Sequence, residues 1–209
     1  MNTKALTIWF LLGAISLTAC APAASPTVEV ASIPSSTEAT VSTDETGFYP
    51  LSTRIGIADV DVVLAALESN DPQTLRDLFL FTQTSCTTAD GLGGPPKCRK
   101  GEADGAQVEV LPFLGPEGSF LHKDEIEEFP GLDVTGLYAV YRVAESAYSD
   151  ENYPAGEYGV ILAADENKPS IILQVRHGGI VRIDYLLGSS LNDLKAVLDR
   201  DASEIVISP

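Results

Sequence analysis

Basic residues are scarce in this chain. Its 209 residues include 13 Lys and Arg against 30 Asp and Glu, which gives a net charge of −17 at pH 7. Nucleic acids and anionic lipid surfaces are bound through Lys and Arg side chains that replace counterions, so an excess of acidic residues opposes both kinds of binding. We therefore expect no nucleic-acid partner, and we interpret the acidity as a source of solubility.

Metal ligands and catalytic motifs are also few. Cys86 and Cys98 lie twelve positions apart, whereas structural zinc sites use cysteines only a few residues apart together with further ligands. The acidic runs Asp124-Glu125 and Glu127-Glu128 lack the alternating pattern and central glycine of a calcium loop. No phosphate-binding loop is present, and Gly118-Ser119 lacks the glycine spacing of a nucleophile elbow. The sequence therefore predicts no metal, no cofactor and no assignable catalytic residue.

One long uncharged apolar run, from Ala5 to Leu17, follows Lys4 near the N-terminus. Its thirteen residues would span about 20 Å as a helix, which is less than the bilayer's hydrocarbon core of about 30 Å. Residues 1–19 are therefore predicted to be a signal peptide and not a permanent membrane span.

The end of this segment, Leu17-Thr18-Ala19-Cys20, resembles the lipobox of bacterial lipoproteins. The resemblance implies cleavage before Cys20 and attachment of diacylglycerol to its sulfur. The membrane would then be a partner through the N-terminal lipid, at the outer face of the plasma membrane or at the outer membrane of the cell envelope. A secreted protein with an ordinary signal peptide, or an uncleaved anchor, remains an alternative.

With Cys20 attached to lipid, Cys86 and Cys98 remain as a pair. In an oxidising envelope compartment an even pair of cysteines indicates a disulfide. The loop that the two cysteines would close contains Gly93-Gly94 and Pro95-Pro96, residues typical of turns and loops. We therefore predict a disulfide between Cys86 and Cys98, with metal binding as the alternative that their spacing disfavours.

The composition changes twice along the chain. Residues 20–49 are rich in Ala, Ser, Thr and Pro and are predicted to be a disordered tether, because they carry too few bulky apolar residues to form a core. Residues 50–209 are predicted to be a single globular domain. Helices are expected to begin near Asp59 and at Asp71-Pro72, where the aspartate can cap the helix and proline suits its first position. Two further helices are predicted at Lys123–Phe129 and Leu191–Leu198.

The other apolar segments are rich in β-branched residues, Leu and Tyr, which favour strands. In the hairpin with the clearest signal, Gly178-Gly179 is predicted to supply the positive φ angles of a tight turn. The predicted strands are Val108–Leu114, Leu137–Ala144, Tyr158–Ala164, Ile171–Arg176, Ile180–Leu187 and an edge strand at Ile205–Ile207.

These elements predict an α+β domain with a curved antiparallel sheet of about four to six strands and two or three helices packed on one face. Over about residues 56–187, the element order resembles the nuclear-transport-factor-2-like fold. That resemblance implies a sheet curved around helices to form a cone, in which some family members hold a catalytic acid, base or histidine. A cystatin-like arrangement would use the same elements.

A ligand pocket on the concave face of this sheet would contain tyrosines and a few charged side chains. Alternation predicts that Arg182 and Asp184 share one face of their strand, and that Tyr138 and Arg142 lie opposite Tyr141. The candidate pocket residues are Tyr138, Tyr141, Arg142, Tyr158, Arg182, Asp184 and Tyr185.

The leading functional hypothesis is a non-enzymatic, lipid-anchored envelope module that binds a small ligand or another envelope protein. One alternative is a small envelope hydrolase or isomerase that uses His122 or a buried carboxylate. The other alternative is a structural component of the envelope.

Overall fold

The computed structural model of this protein describes residues 47–115, 117–164, 170–186 and 190–209. The predicted signal peptide, the lipidation residue Cys20 and the tether up to residue 46 lie outside the described residues.

Three α-helices are present: α1 at Ala58–Ser69, α2 at Pro72–Arg76 and α3 at Leu191–Asp201. The side chain of Asp71 accepts a hydrogen bond from the Gln73 amide and caps α2, as the sequence predicts. A 3₁₀ helix occupies Lys123–Glu128. Among the described residues, no helix is both long and apolar enough to cross a membrane.

Eight strands form one sheet with the order β1-β2-β7-β6-β5-β4-β8, and β3 pairs with β2 outside this order. Every strand pair is antiparallel except β2 with β7, which is parallel. The strands are β1 Thr82–Ser85, β2 Gln107–Leu114, β3 Ser119–His122, β4 Gly136–Val143, β5 Tyr158–Ala163, β6 Ile171–Arg176, β7 Gly179–Tyr185 and β8 Ala202–Ile207.

The sheet is thus larger than the four to six strands predicted. The two additional strands, β1 and β3, are short, and their sequences Thr-Gln-Thr-Ser and Ser-Phe-Leu-His show no strong apolar alternation. Both are held by pairing with β2. The strand conformation of β1 therefore depends on a partner in another part of the chain, since Ser85 pairs with Gln107. β3 is the second strand of a short hairpin, in which Phe113 pairs with Ser119.

The predicted hairpin between β6 and β7 is present, but its turn lies one residue earlier than expected. His177 and Gly178 have φ angles of 52° and 70°, and Arg176 pairs with Gly179. The turn residues are therefore His177 and Gly178, while Gly179 opens β7. Positive φ at both central residues fits the twist of a two-residue hairpin turn.

Helices cover both faces of the sheet. On one face, the apolar side of α1, including Val63 and Leu64, packs against residues such as Val160 and Leu173. On the opposite face, Leu194 and its neighbours on α3 pack against Tyr138, Tyr141, Ile161 and Ile172. The prediction that all helices lie on one face is therefore wrong for α3. The reason is that β4, β5, β6 and β7 are buried on both sides, so each face of these strands needs a cover.

A bulge interrupts the alternation in β4. The register with β5 shifts between Leu137 and Ala139, and Tyr138 consequently packs in the same cluster as Tyr141. The prediction that Tyr138 and Tyr141 lie on opposite faces is therefore wrong. An added residue in one strand reverses every face assignment beyond it, and the sequence gives no sign of its position.

The predicted disulfide joins Cys86 to Cys98. It closes the loop between β1 and β2, whose two arms are also joined by backbone hydrogen bonds from the Thr87 amide to the Pro96 carbonyl and from the Cys98 amide to the Thr87 carbonyl. Cys86 packs against Val108 and Val110 of β2. The bridge therefore attaches this glycine- and proline-rich loop to the edge of the sheet.

We predict that protein taken from an oxidising compartment contains this disulfide and that the Cys86→Ser/Cys98→Ser variant is less stable by about 3 kcal/mol, the chain-entropy value for a loop of this size. Thiol labelling before and after reduction checks the bond, and chemical denaturation checks the stability. Two thiols that react in unreduced, folded protein would contradict the prediction.

Candidate functional site

A row of residues crosses four adjacent strands on the face that α3 covers. Tyr141 of β4 lies opposite Gly159 of β5, Gly159 lies opposite Gln174 of β6, and Gln174 lies opposite Arg182 of β7. Residues directly opposite each other in a sheet project from the same face. The register therefore brings Tyr141, Gln174 and Arg182 onto one surface, and Asp184 joins them two residues further along β7.

Gly159 makes room for the ring of Tyr141. A Cβ atom at this glycine would lie 2.1 Å from Cζ and 2.5 Å from Oη of Tyr141, so the phenol ring lies across the backbone of β5. Any larger residue at Gly159 would displace the ring. The glycine thus allows Tyr141 to extend from β4 towards the polar residues of β6 and β7.

Arg182 and Asp184 form a buried ion pair. Nε of Arg182 donates to Oδ1 of Asp184 at 2.6 Å, and Nη2 donates to Oδ2 at 3.0 Å. The two residues are only 3% and 7% exposed. Their two parallel hydrogen bonds form the bidentate arrangement that best compensates a guanidinium and a carboxylate for lost water.

The remaining polar atoms of this pair are also engaged. Nη1 of Arg182 donates to the carbonyl oxygens of Tyr148 at 3.0 Å and Tyr153 at 2.9 Å. Nε2 of Gln174 donates to Oδ2 of Asp184 at 3.1 Å, while Oε1 of Gln174 accepts from the Gly156 amide at 3.0 Å. The ion pair therefore joins two central strands to the loop that follows β4.

Burial sets the protonation behaviour of the site. It raises the pKa of Asp184, an effect that the guanidinium of Arg182 opposes. Burial is also the main reason that the pKa of Tyr141 is raised, and the nearby carboxylates of Asp201 and Asp184 add to it. Tyr141 is therefore a neutral phenol, and within the described residues its Oη makes no hydrogen bond although it is buried.

A cavity of about 130 Å³ adjoins the ion pair. Gln174, Arg182 and Asp184 form its polar wall, and the C-terminal end of α3 contributes Arg200 and Asp201. Arg200 donates from Nε and Nη2 to the two carboxylate oxygens of Asp201, at 2.7 and 2.6 Å. Two Arg–Asp pairs thus face one small cavity. Its other lining residues are Leu114, Gly115, Ala147, Tyr148, Ile172, Tyr185 and Leu186.

The loop after β4 that covers Arg182 is organised by Asp150. The carboxylate of this residue accepts hydrogen bonds from the amides of Asn152 and Tyr153, both at 2.8 Å, and from Oη of Tyr148 at 2.6 Å. Burial would raise the pKa of Asp150, but these hydrogen bonds outweigh it and the pKa is lowered. The ionised carboxylate therefore holds the loop in the shape that presents the Tyr148 and Tyr153 carbonyls to Arg182.

Three of the seven candidate pocket residues from the sequence come together here, namely Tyr141, Arg182 and Asp184. Tyr185 also contributes to the cavity wall, but its ring stacks on Phe113 with centroids 5.9 Å apart. Phe113 packs against the core on the α1 side of the sheet.

The other three candidates lie elsewhere. Arg142 donates to Oη of Tyr158 at 3.0 Å, and its guanidinium carbon lies 4.9 Å from the centre of that ring. Tyr158 packs in the cluster on the α1 side. Tyr138 packs edge-on against Phe48, with ring centroids 6.0 Å apart. These residues contribute to packing and lie apart from the two Arg–Asp pairs.

Sequence reasoning missed four residues of the site, which are Gly159, Gln174, Arg200 and Asp201. Gln174 had a usable signal, because it is the one uncharged polar residue in the apolar run Ile171–Val175, and a buried polar residue needs specific partners. Arg200 and Asp201 had none, since their position depends on which face of the sheet α3 covers.

The two histidines lie at other places. His122 is buried at the end of β3 and lines surface grooves that also contain Arg99 and Lys97. His177 is exposed at the β6–β7 turn, with Nδ1 3.8 Å from Oε1 of Glu157. Neither histidine lines the cavity beside Arg182.

Within the described residues, the group of potential metal ligands that lies closest together is Cys86, Cys98 and Glu102. The two sulfur atoms of this group are bonded to each other.

We predict that Arg182→Met lowers the free energy of unfolding by about 3–5 kcal/mol, because it leaves Asp184 buried without its partner. The double variant Arg182→Met/Asp184→Leu should cost less than the single variant, since no charge then remains buried. Urea denaturation measures both. Lys123→Met is the control, because its pairing with Glu109 at 2.9 Å is half-exposed and its loss should cost no more than about 1 kcal/mol. A double variant as unstable as the single one would contradict this account.

We predict that protonation of Asp150 loosens the covering loop. A carboxyl group with a lowered pKa stabilises the folded state above its unfolded pKa of about 3.9, and that stabilisation is lost as the pH falls through the lower folded pKa. Protection of the Asn152 and Tyr153 amides against hydrogen exchange should therefore fall between about pH 6 and about pH 2.5. Asp150→Ala should remove this protection at both pH values, whereas Asp199→Ala, on the exposed side of α3, should not. Equal protection of these amides in Asp150→Ala and in the parent protein would contradict the role of Asp150 in the loop.

Comparison with known proteins finds no protein-family model, no curated protein and no solved structure that matches this chain. The resemblance to the nuclear-transport-factor-2-like fold stays a prediction.

Proposed function

We propose that this chain is a lipid-anchored cell-envelope protein whose folded domain binds a small polar ligand without catalysing a reaction. The observation that carries the binding proposal is the cavity of about 130 Å³ beside the Arg182–Asp184 pair. Buried charges are expensive to maintain in a domain interior, and stability alone is a poor reason to keep them. Charged groups beside a cavity can bind a ligand, because a few fixed polar groups orient a ligand in an otherwise apolar site.

Hydrogen bonding around the cavity favours binding over catalysis. Asp184 accepts three hydrogen bonds, and Arg182 donates four. A general acid or base must instead exchange its proton with a substrate. No serine, threonine or cysteine lines this cavity among the described residues, and His122 belongs to other grooves. The hydrolase or isomerase alternative therefore receives less support than binding.

The anchoring proposal depends on the lipobox-like Leu17-Thr18-Ala19-Cys20. The disulfide between Cys86 and Cys98 is consistent with it, because such bonds persist mainly in oxidising compartments outside the cytosol. The N-terminal end of the described chain is held firmly by the domain. Tyr49 exchanges two backbone hydrogen bonds of 2.8 Å with Leu137 of β4, and its hydroxyl donates to the Ser208 carbonyl.

We predict that the protein partitions with membranes and that Cys20→Ala either releases it or leaves the precursor unprocessed. Two or three acyl chains make membrane attachment durable, so the acylated protein should stay in the membrane fraction. Fractionation followed by mass spectrometry of the N-terminal peptide measures the outcome. Ser35→Ala, in the predicted tether, is the control and should leave fractionation unchanged. A purified N-terminus that begins at residue 20 without acyl groups would refute the anchor.

A further inference from the structure

The electrostatics of the cavity restrict the ligand that it can hold. Two guanidinium groups, Arg182 and Arg200, face it together with two carboxylates, Asp184 and Asp201. The cluster is neutral as a whole. A ligand with a net charge would bring an uncompensated charge next to the buried pair, which is costly in a medium of low dielectric constant. An apolar ligand would cover the hydrogen-bonding groups of the wall without replacing their water, which is also costly.

The same groups retain hydrogen-bonding capacity. Arg200 uses two of its five N–H donors on Asp201 within the described residues, and Arg182 uses four of its five. Each ionised carboxylate can accept about four hydrogen bonds. Asp201 accepts two from Arg200, and Asp184 accepts three. The side chains that hold these spare donors and acceptors all line the cavity.

The volume sets the size of the occupant. A cavity of about 150 Å³ in another protein holds benzene, a molecule of six heavy atoms. The present cavity of about 130 Å³ therefore has room for a molecule of about five or six heavy atoms. Since Arg200 is largely exposed, with a side-chain accessibility of 69%, it lies at the mouth, while Asp184 lies at the buried end.

We propose that this cavity binds a small zwitterion, namely an α-amino acid of about the size of glycine or alanine. Its carboxylate pairs with the spare N–H donors of Arg200 and Arg182, and its ammonium group donates to Asp184 and Asp201. The ligand has no net charge and supplies both kinds of hydrogen-bonding group, as the wall requires. This inference rests on the proposed binding function and names its ligand class.

The test is calorimetric titration of the mature, lipid-anchored protein in detergent micelles with four probes. Glycine carries both charges, acetate carries only the negative one, methylammonium carries only the positive one, and acetamide is neutral without being a zwitterion. We expect glycine to bind with a dissociation constant between about 10 µM and 1 mM, the range open to a ligand of so few atoms. Each of the other probes should bind at least about tenfold more weakly.

Two variants locate the binding. Arg200→Gln should weaken glycine binding by about ten- to a hundredfold, the effect of losing a charged hydrogen-bond partner. Lys195→Gln removes the same charge from an exposed position on α3 outside the cavity and should leave binding unchanged. Gly115→Leu adds a side chain at the cavity wall, where a Cβ meets only an ordinary contact with Tyr185 at 3.9 Å. It should abolish binding while leaving the unfolding transition cooperative.

The outcomes separate this inference from the proposals on which it depends. Acetate or acetamide binding as tightly as glycine, with the same response to Gly115→Leu, would overturn the zwitterion and leave small-ligand binding in place. Glycine binding that Gly115→Leu and Arg200→Gln do not change would place the ligand elsewhere and overturn the site. If none of the four probes saturates the protein, the amino-acid site is overturned. The anchor proposal is tested separately, by Cys20→Ala.

Discussion

The apolar composition of four central strands is the constraint on which the rest of this structure depends. Strands β4, β5, β6 and β7 are buried on both faces, so neither face can remain open to water. Helix α1 covers one face and α3 covers the other. A sheet covered on both faces cannot offer a broad concave surface to a ligand, and the space available for binding is reduced to small cavities at its margins.

The Arg182–Asp184 pair is costly in such an environment. Burial of both side chains is tolerated because Gln174 and the carbonyl oxygens of the loop after β4 complete their hydrogen bonding. The pair therefore connects the sheet to that loop, and the loop in turn depends on the carboxylate of Asp150. The conformation of the loop after β4 thus depends on two carboxyl groups, the buried Asp184 and the exposed Asp150.

The cavity and the disulfide lie in different parts of the domain. Tyr49 pairs with Leu137 of β4, and its hydroxyl donates to the Ser208 carbonyl just after β8. The cavity is bounded by the last residues of α3, which lead directly into β8. A disulfide holds the long loop between β1 and β2 against the other end of the sheet. The domain is therefore reinforced at the edge where its connections are longest, and its polar cavity lies where α3 joins the strands.

Local sequence patterns were sufficient for the elements whose physics is local. The Asp71-Pro72 start of α2, the apolar face of α1, the strands β4 to β8 and the β6–β7 hairpin could all be predicted, because caps, periodicity and turn residues act over a few positions. The pairing of Cys86 with Cys98 followed from parity and compartment. Arg182 and Asp184 could be recognised as neighbours because residues two apart in a strand share a face.

Only the tertiary structure decided which groups meet across the sheet. The bulge in β4 moved Tyr138 to the face of Tyr141, and the covering of the second face by α3 brought Arg200 and Asp201 to the same cavity as Arg182. β1 became a strand through pairing with β2. These outcomes depend on registers and contacts between residues distant in the chain, and a one-residue change in register would reverse them. The sequence by itself therefore determined the apolar strands, the acidic charge and the spacing of the paired residues, whereas packing between distant segments determined the site.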